Sequence, residues 1–193
     1  MYRRPLLNML NAYRHHFGEE ATVVDQVEQL VTSHSDCFER TCRPGHVTGS
    51  AWVMSEDRQR CVLVRHAKLD RWIQPGGHAD GDNDIAAVAL REVREETGLT
   101  RLNLVREGDI VIPLDIDIHQ IPARTDSQGR ELESTHEHHD IRFLVIADRN
   151  EPLVRSEESL AVGWFDRQGV LQLTDEPSVL RMLHKAGPHT GQL

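Results

Sequence analysis

Leu6, Leu7, Leu10 and Tyr13 recur at spacings of three and four, and after Gly18 the same period returns through Val23, Val24, Val27, Leu30 and Val31. That period places the apolar side chains on one stripe of a helix, so two short helices are expected between Pro5 and Phe38. Pro44-Gly45 then gives a turn signal that closes the helical piece. From His46 the period shortens toward two. His46–Ser55 and Arg60–His66 read as strands flanking the polar turn Glu56-Asp57-Arg58-Gln59.

The glycine-rich stretch Gln74–Asp82 leads into a helix that starts at Asn83 or Asp84 and runs to Thr97, with Gly98 as its C-cap. Beyond it, Asp109–Ile121 alternates apolar and polar through Ile110, Ile112, Leu114, Ile116 and Ile118, the pattern of a half-buried strand. Ser127–Arg130 is a turn, Asp140–Ala147 a further strand and Pro177–Lys185 a last helix, with a frayed tail from Gly187 to Leu193. Trp52 and Trp164 lie on apolar, strand-like stretches and read as core. No internal repeat and no low-complexity linker interrupts the chain. The expected fold class is α/β: one domain with a mixed sheet over residues 46–193, behind a short helical N-terminal extension over residues 1–45.

Charge narrows the partners. The 193 residues carry 22 Lys plus Arg against 31 Asp plus Glu, a net charge of −9. No basic footprint for nucleic acid is present, so none is expected as a partner, and a phosphate-bearing substrate needs a local site or a bridging cation. No 18-residue apolar run is present, so no membrane partner is expected. Arg3 and Arg4 are followed by a leucine-rich segment broken by Asn8 and Asn11, which does not read as a signal peptide. Cys37, Cys42 and Cys61 are few and odd in number, so no disulfide framework is expected, and the cytoplasm is the expected compartment. Cys37-x4-Cys42-x3-His46 has the look of three zinc ligands but lacks a paired second half, and structural cysteines are the reading preferred.

Candidate chemistry concentrates in Arg91–Leu99. Glu92, Glu95 and Glu96, spaced i, i+3 and i+4, share one helical face, separate from the apolar stripe of Ala86, Ala89, Leu90 and Val93. Like charges at that spacing repel by about 0.2–0.5 kcal/mol per pair on an exposed helix, and a divalent cation offsets this. Carboxylate oxygens are hard ligands that select Mg²⁺ or Mn²⁺ over zinc. Taken alone, the face also reads as a solvated helix surface on which Arg91 and Arg94 offset the glutamates. The adjoining Pro75-Gly76-Gly77 shifts the balance, because it lets the backbone turn tightly and approach a ligand closely.

The segment resembles the motif of the Nudix hydrolases: Gly77, Arg91, Glu92, Val93, Glu95, Glu96, Gly98 and Leu99 all stand at the family's spacing. Asn83 occupies the place of the family's first glutamate. The resemblance implies an α/β/α sandwich and Mg²⁺-dependent (or Mn²⁺-dependent) hydrolysis of a nucleoside diphosphate linked to another moiety, such as a nucleotide sugar. On this reading Glu92, Glu95 and Glu96 bind the cations with the Gly76 carbonyl as an added ligand, while Arg91 orients the glutamates. Glu92, Glu95 and Arg91 are thereby the catalytic candidates. The departure at Asn83 keeps open a non-catalytic, nucleotide-binding or regulatory module of the same fold.

Family members often draw a further acidic residue from beyond the motif. Glu137 stands where such a residue would enter, with Asp140 as the alternative. His136 and His138 share one face if their strand begins early, which would allow a metal or phosphate contact; the competing reading is a histidine-rich loop. His78, Arg65 with Lys68, and Trp72 are candidates for contact with a small nucleotide-type substrate, packing being the favoured role for Trp72. A homodimer through the N-terminal helices is compatible with either function.

Overall fold

A computed structural model describes residues 2–187, so the tail after Gly187 lies outside the described residues. The apolar stripes seen in the sequence form α1 (Arg4–His16) and α2 (Ala21–Ser33), joined by a 3₁₀ turn at Gly18–Glu20. Then come strands β1 (Gly45–Ser55), β2 (Arg60–His66), β3 (Arg71–Ile73) and β4 (Gly76–His78). The helix α3 (Ile85–Thr97) follows, and then β5 (Leu102–Leu104), β6 (Asp115–Ile121), β7 (Arg124–Thr125) and β8 (Glu131–Glu133). The chain continues through β9 (His136–Ala147), β10 (Ser159–Asp166), α4 (Arg167–Leu173) and α5 (Pro177–Lys185).

One mixed sheet carries the order β10-β2-β1-β9-β5, with β3 added to β2, β4 to β1 and β6 to β9; β7 and β8 form a separate hairpin. Its centre is the parallel pair β1 and β9, in register from Gly45 opposite Glu137 to Ser55 opposite Ala147. β1 is buried along its whole length, as expected for a strand covered on both faces. Val47, Ala51 and Val53 pack on α1, α2 and α3, whereas Trp52 and Met54, of opposite parity, pack on α4 and α5. Leu6, Leu10, Val24 and Val27 share a core with the sheet, so the first 45 residues are integral to the fold. Among the described residues, no helix is long and apolar enough to cross a membrane.

Three expectations are corrected. The strand expected over Asp109–Ile121 begins only at Asp115, because Pro113 has no N–H for a ladder; Ile110 is left exposed. The strand expected from Asp140 reaches back to His136, drawn into register by β1. The Gly76–His78 segment, read as loop, is a short strand on β1.

Candidate functional site

Strand register assembles the site. His46 lies opposite His138 and His138 opposite His119; one step along, His78 pairs with Thr48, Thr48 with Asp140 and Asp140 with Asp117. A third step aligns Ser50, Arg142 and Asp115. Because residues two apart share a face, one side of the sheet carries a row of imidazoles, a row of acids and a buried arginine. His78, His119, His136, His138, Thr48, Ser50 and Asp140 line a cleft of about 700 Å³.

The opposite wall comes from α3, which begins where the Asp84 side chain accepts from Ala87 N–H at 3.1 Å and ends at Gly98, in the left-handed region with φ 74°. Ile85, Val88, Ala89 and Val93 bury its apolar face, and this fixes the other face toward the cleft. Two polar links stitch α3 to β4. Arg91 donates to the His78 carbonyl at 2.7 Å and to Glu92 Oε1 at 2.8 Å, and Gly76 N–H donates to Glu96 Oε2 at 2.9 Å.

Glu92, Glu95, Glu96, Arg91, Gly76 and His78 therefore all line the cleft. Glu95, with 62% of its side chain exposed, lies 4.0 Å from Arg91. Burial raises the Glu96 carboxyl to about 7, and raises that of Glu92 as well, against the hydrogen bonds each receives. A buried and a half-buried carboxylate that resist ionisation, beside an exposed third, have the donor chemistry that a hard divalent cation satisfies. Asp140 is buried and accepts from Ser50 Oγ and Arg142 Nε at 2.8 Å and from Thr48 Oγ1 at 3.1 Å.

The remaining candidates lie elsewhere. Glu137 takes the other face of β9, with His139 Nε2 at 3.2 Å from its carboxylate, and is not among the cleft-lining residues. Arg65 pairs with Asp70 at 2.7 Å, and Trp72 packs edge-on against Phe165 with ring centroids 5.0 Å apart. Lys68 does reach the cleft, as do Arg40 and Glu158, which no sequence signal had marked. Asn83 donates to the Tyr2 carbonyl, joining the motif to the N-terminal extension. Cys37 and Cys42 are buried free thiols, pushed up by burial to about 11 and about 12, while His46 packs among the other histidines.

The family model for the NUDIX domain matches residues 45–185. The chain belongs to this family. Among curated proteins it is 34% identical over 91 residues to mRNA-decapping enzyme subunit 2 of Arabidopsis thaliana, covering 45% of this chain and 24% of that protein. It is 39% identical over 62 residues to nucleoside diphosphate-linked moiety X motif 6 of Xenopus laevis, covering 29% of each. The chain thus spans about a quarter of the length of these NUDIX relatives. A NUDIX-family hydrolase from Clostridium perfringens superposes with a TM-score of 0.57 at 16% identity, over 73% of this chain and 95% of that one, a likeness of fold.

Proposed function

We propose that this NUDIX protein is a divalent-cation-dependent pyrophosphohydrolase acting on a nucleoside diphosphate linked to a second moiety. The observation that carries the reading is the wall of Glu92, Glu95 and Glu96, locked to the glycine turn by Arg91 and by Gly76 N–H, in a cleft of nucleotide size. The relative named for nucleoside diphosphate-linked substrates agrees with it.

Glu92 and Glu96 would hold Mg²⁺ or Mn²⁺, with the Gly76 carbonyl beside them. Bound there, the cation supplies positive charge for the pyrophosphate oxygens and makes water a better nucleophile at neutral pH. Arg91 fixes the carboxylates, since its guanidinium bridges the His78 carbonyl and Glu92. Glu95, the most exposed of the three, is the carboxylate left to take a proton from the attacking water. Arg40, Lys68 and His78 face the same cleft and would bind phosphate oxygens, which compensates for an overall charge of −9. Asp140 supports this floor through Thr48 and Ser50.

The test is incubation of the full chain with nucleotide sugars, dinucleoside polyphosphates and nucleoside triphosphates, with Mg²⁺ or with chelator. Mg²⁺-dependent release of a nucleoside monophosphate is expected. Tight binding of a nucleotide with no turnover at any divalent concentration would instead establish the non-catalytic module.

A further inference from the structure

The imidazole row is not explained by the carboxylate site. His46 is 1% exposed, and neither of its ring nitrogens has a hydrogen-bond partner. Nε2 of His138 is likewise buried without a hydrogen bond, and so is Nε2 of His136, whose acidic neighbour Glu133 stands 3.7 Å away. The three rings crowd together: His46 to His136 is 5.0 Å between centroids, His46 to His138 4.7 Å and His136 to His138 5.2 Å.

A buried nitrogen without a hydrogen bond keeps its desolvation cost, so four together constitute a large unmet demand. The tautomer of His136 is set by geometry. Its Nδ1 lies 2.9 Å from the Ser134 carbonyl, which can only accept, so Nδ1 carries the proton and Nε2 presents a lone pair. A backbone carbonyl fixing the far nitrogen is the usual support for a metal-binding histidine. One donor atom from each of the three residues lies within 4.8 Å of the other two. Around zinc the same nitrogens stand about 3.3 Å apart, as Zn–N bonds of about 2.0–2.1 Å require, a closure within reach of side-chain rotation.

We propose that His46, His136 and His138 form a binding site for a borderline divalent cation of the zinc, cobalt or nickel class, separate from the oxygen-lined site of α3. Neutral imidazole suits these ions and does not suit Mg²⁺. Three protein ligands leave a coordination position open. Because His136 and His138 line the cleft, that position is available to a water or a phosphoryl oxygen there. The site does not depend on the hydrolytic reading, since it is defined without substrate.

The test uses the untagged full chain, stripped with chelator and titrated with Co²⁺ under saturating Mg²⁺, which keeps the carboxylates filled. One equivalent of Co²⁺ should bind with the visible absorption of a low-coordinate nitrogen site. His46→Gln and His138→Gln should each weaken binding by at least about 100-fold, more than the loss of a supporting hydrogen bond would cause. Glu92→Gln should leave it unchanged. X-ray absorption of the zinc-loaded wild type gives an answer even where a variant fails to fold, and at least two imidazole scatterers are expected. No retained Co²⁺, an oxygen-only shell, or binding lost in Glu92→Gln and kept in the histidine variants would overturn the proposal. A sulfur scatterer would also overturn it, by placing the ion at His34, Asp36 and Cys42, whose ligand atoms are similarly close.

Discussion

The backbone N–H of Gly76 donates to Glu96 Oε2 at 2.9 Å, so a carboxylate only 6% exposed ties the glycine turn to the last turn of α3. Burial holds the Glu96 carboxyl at about 7, against an ordinary value of 4.5. The folded protein therefore keeps a proton that the unfolded chain releases, and the associated stability is fully present below about pH 4.5 and lost as pH rises through 7. At about 1.4 kcal/mol per unit the loss is on the order of 3–4 kcal/mol. In chelator, the denaturant midpoint should fall from about pH 5 to about pH 8, and Mg²⁺ or Glu96→Gln should flatten that slope. Asp117 acts in the opposite sense at lower pH. Burial raises its carboxyl, but the His119 hydrogen bond and the charges of Arg142 and Arg181 bring it below its ordinary 3.8, so its contribution is lost as pH falls further.

The two glycines of β4 predict different failures. A Cβ on Gly76 would collide with Cβ and Cα of Ser50, across the β1–β4 pair, where the backbone cannot move aside. Gly76→Ala should cost about 1–3 kcal/mol of stability. A Cβ on Gly77 would stand 2.5 Å from Glu92 Oε2, the end of a side chain that can swing away. Gly77→Ala should fold near normally yet lose about 100-fold in kcat/KM, because the displaced atom is the proposed cation ligand. Paired denaturation and kinetic measurements on the two variants check the distinction.

The motif on α3 was legible because fixed spacing on a helix converts directly into a shared face: Glu92, Glu95, Glu96 and Arg91 needed no partner element to be placed together. The histidine row was legible only in part, through the shared face expected of His136 and His138 if their strand began early, as it does. His46, His119 and His138 lie far apart in the chain and meet only through the parallel register of β1 with β9 and the antiparallel register of β6 with β9. Glu137 and Asp140 differ in parity along β9, and only once the strand was known to begin at His136 could that parity decide which of them faces the cleft. Ile110 and Ile112 have a strand-like alternation, but Ile110 bridges only to Glu107, and β6 starts after Pro113.

Arg142, 2% exposed, donates to Asp140 at 2.8 Å, Asp117 at 3.0 Å and Asp115 at 3.2 Å. Arg181 and Lys185 of α5 complete the cluster on Asp115. Removing one member of a buried ionic set strands the others, so Arg142→Met should cost about 3–5 kcal/mol in denaturant unfolding. Exposed pairs such as Arg65–Asp70 should contribute less than about 1 kcal/mol by double-mutant cycle.

On the proposed function, this cleft transfers a phosphoryl group of a nucleoside diphosphate compound to water under the control of Glu92, Glu95 and Glu96. Turnover in ¹⁸O-labelled water with Mg²⁺, followed by ³¹P NMR, tests it most directly. A single ¹⁸O is expected in one phosphate-bearing product, at a rate at least about 100-fold lower in Glu95→Gln/Glu96→Gln. Substrate returned intact, or a double variant as fast as the wild type, would contradict it.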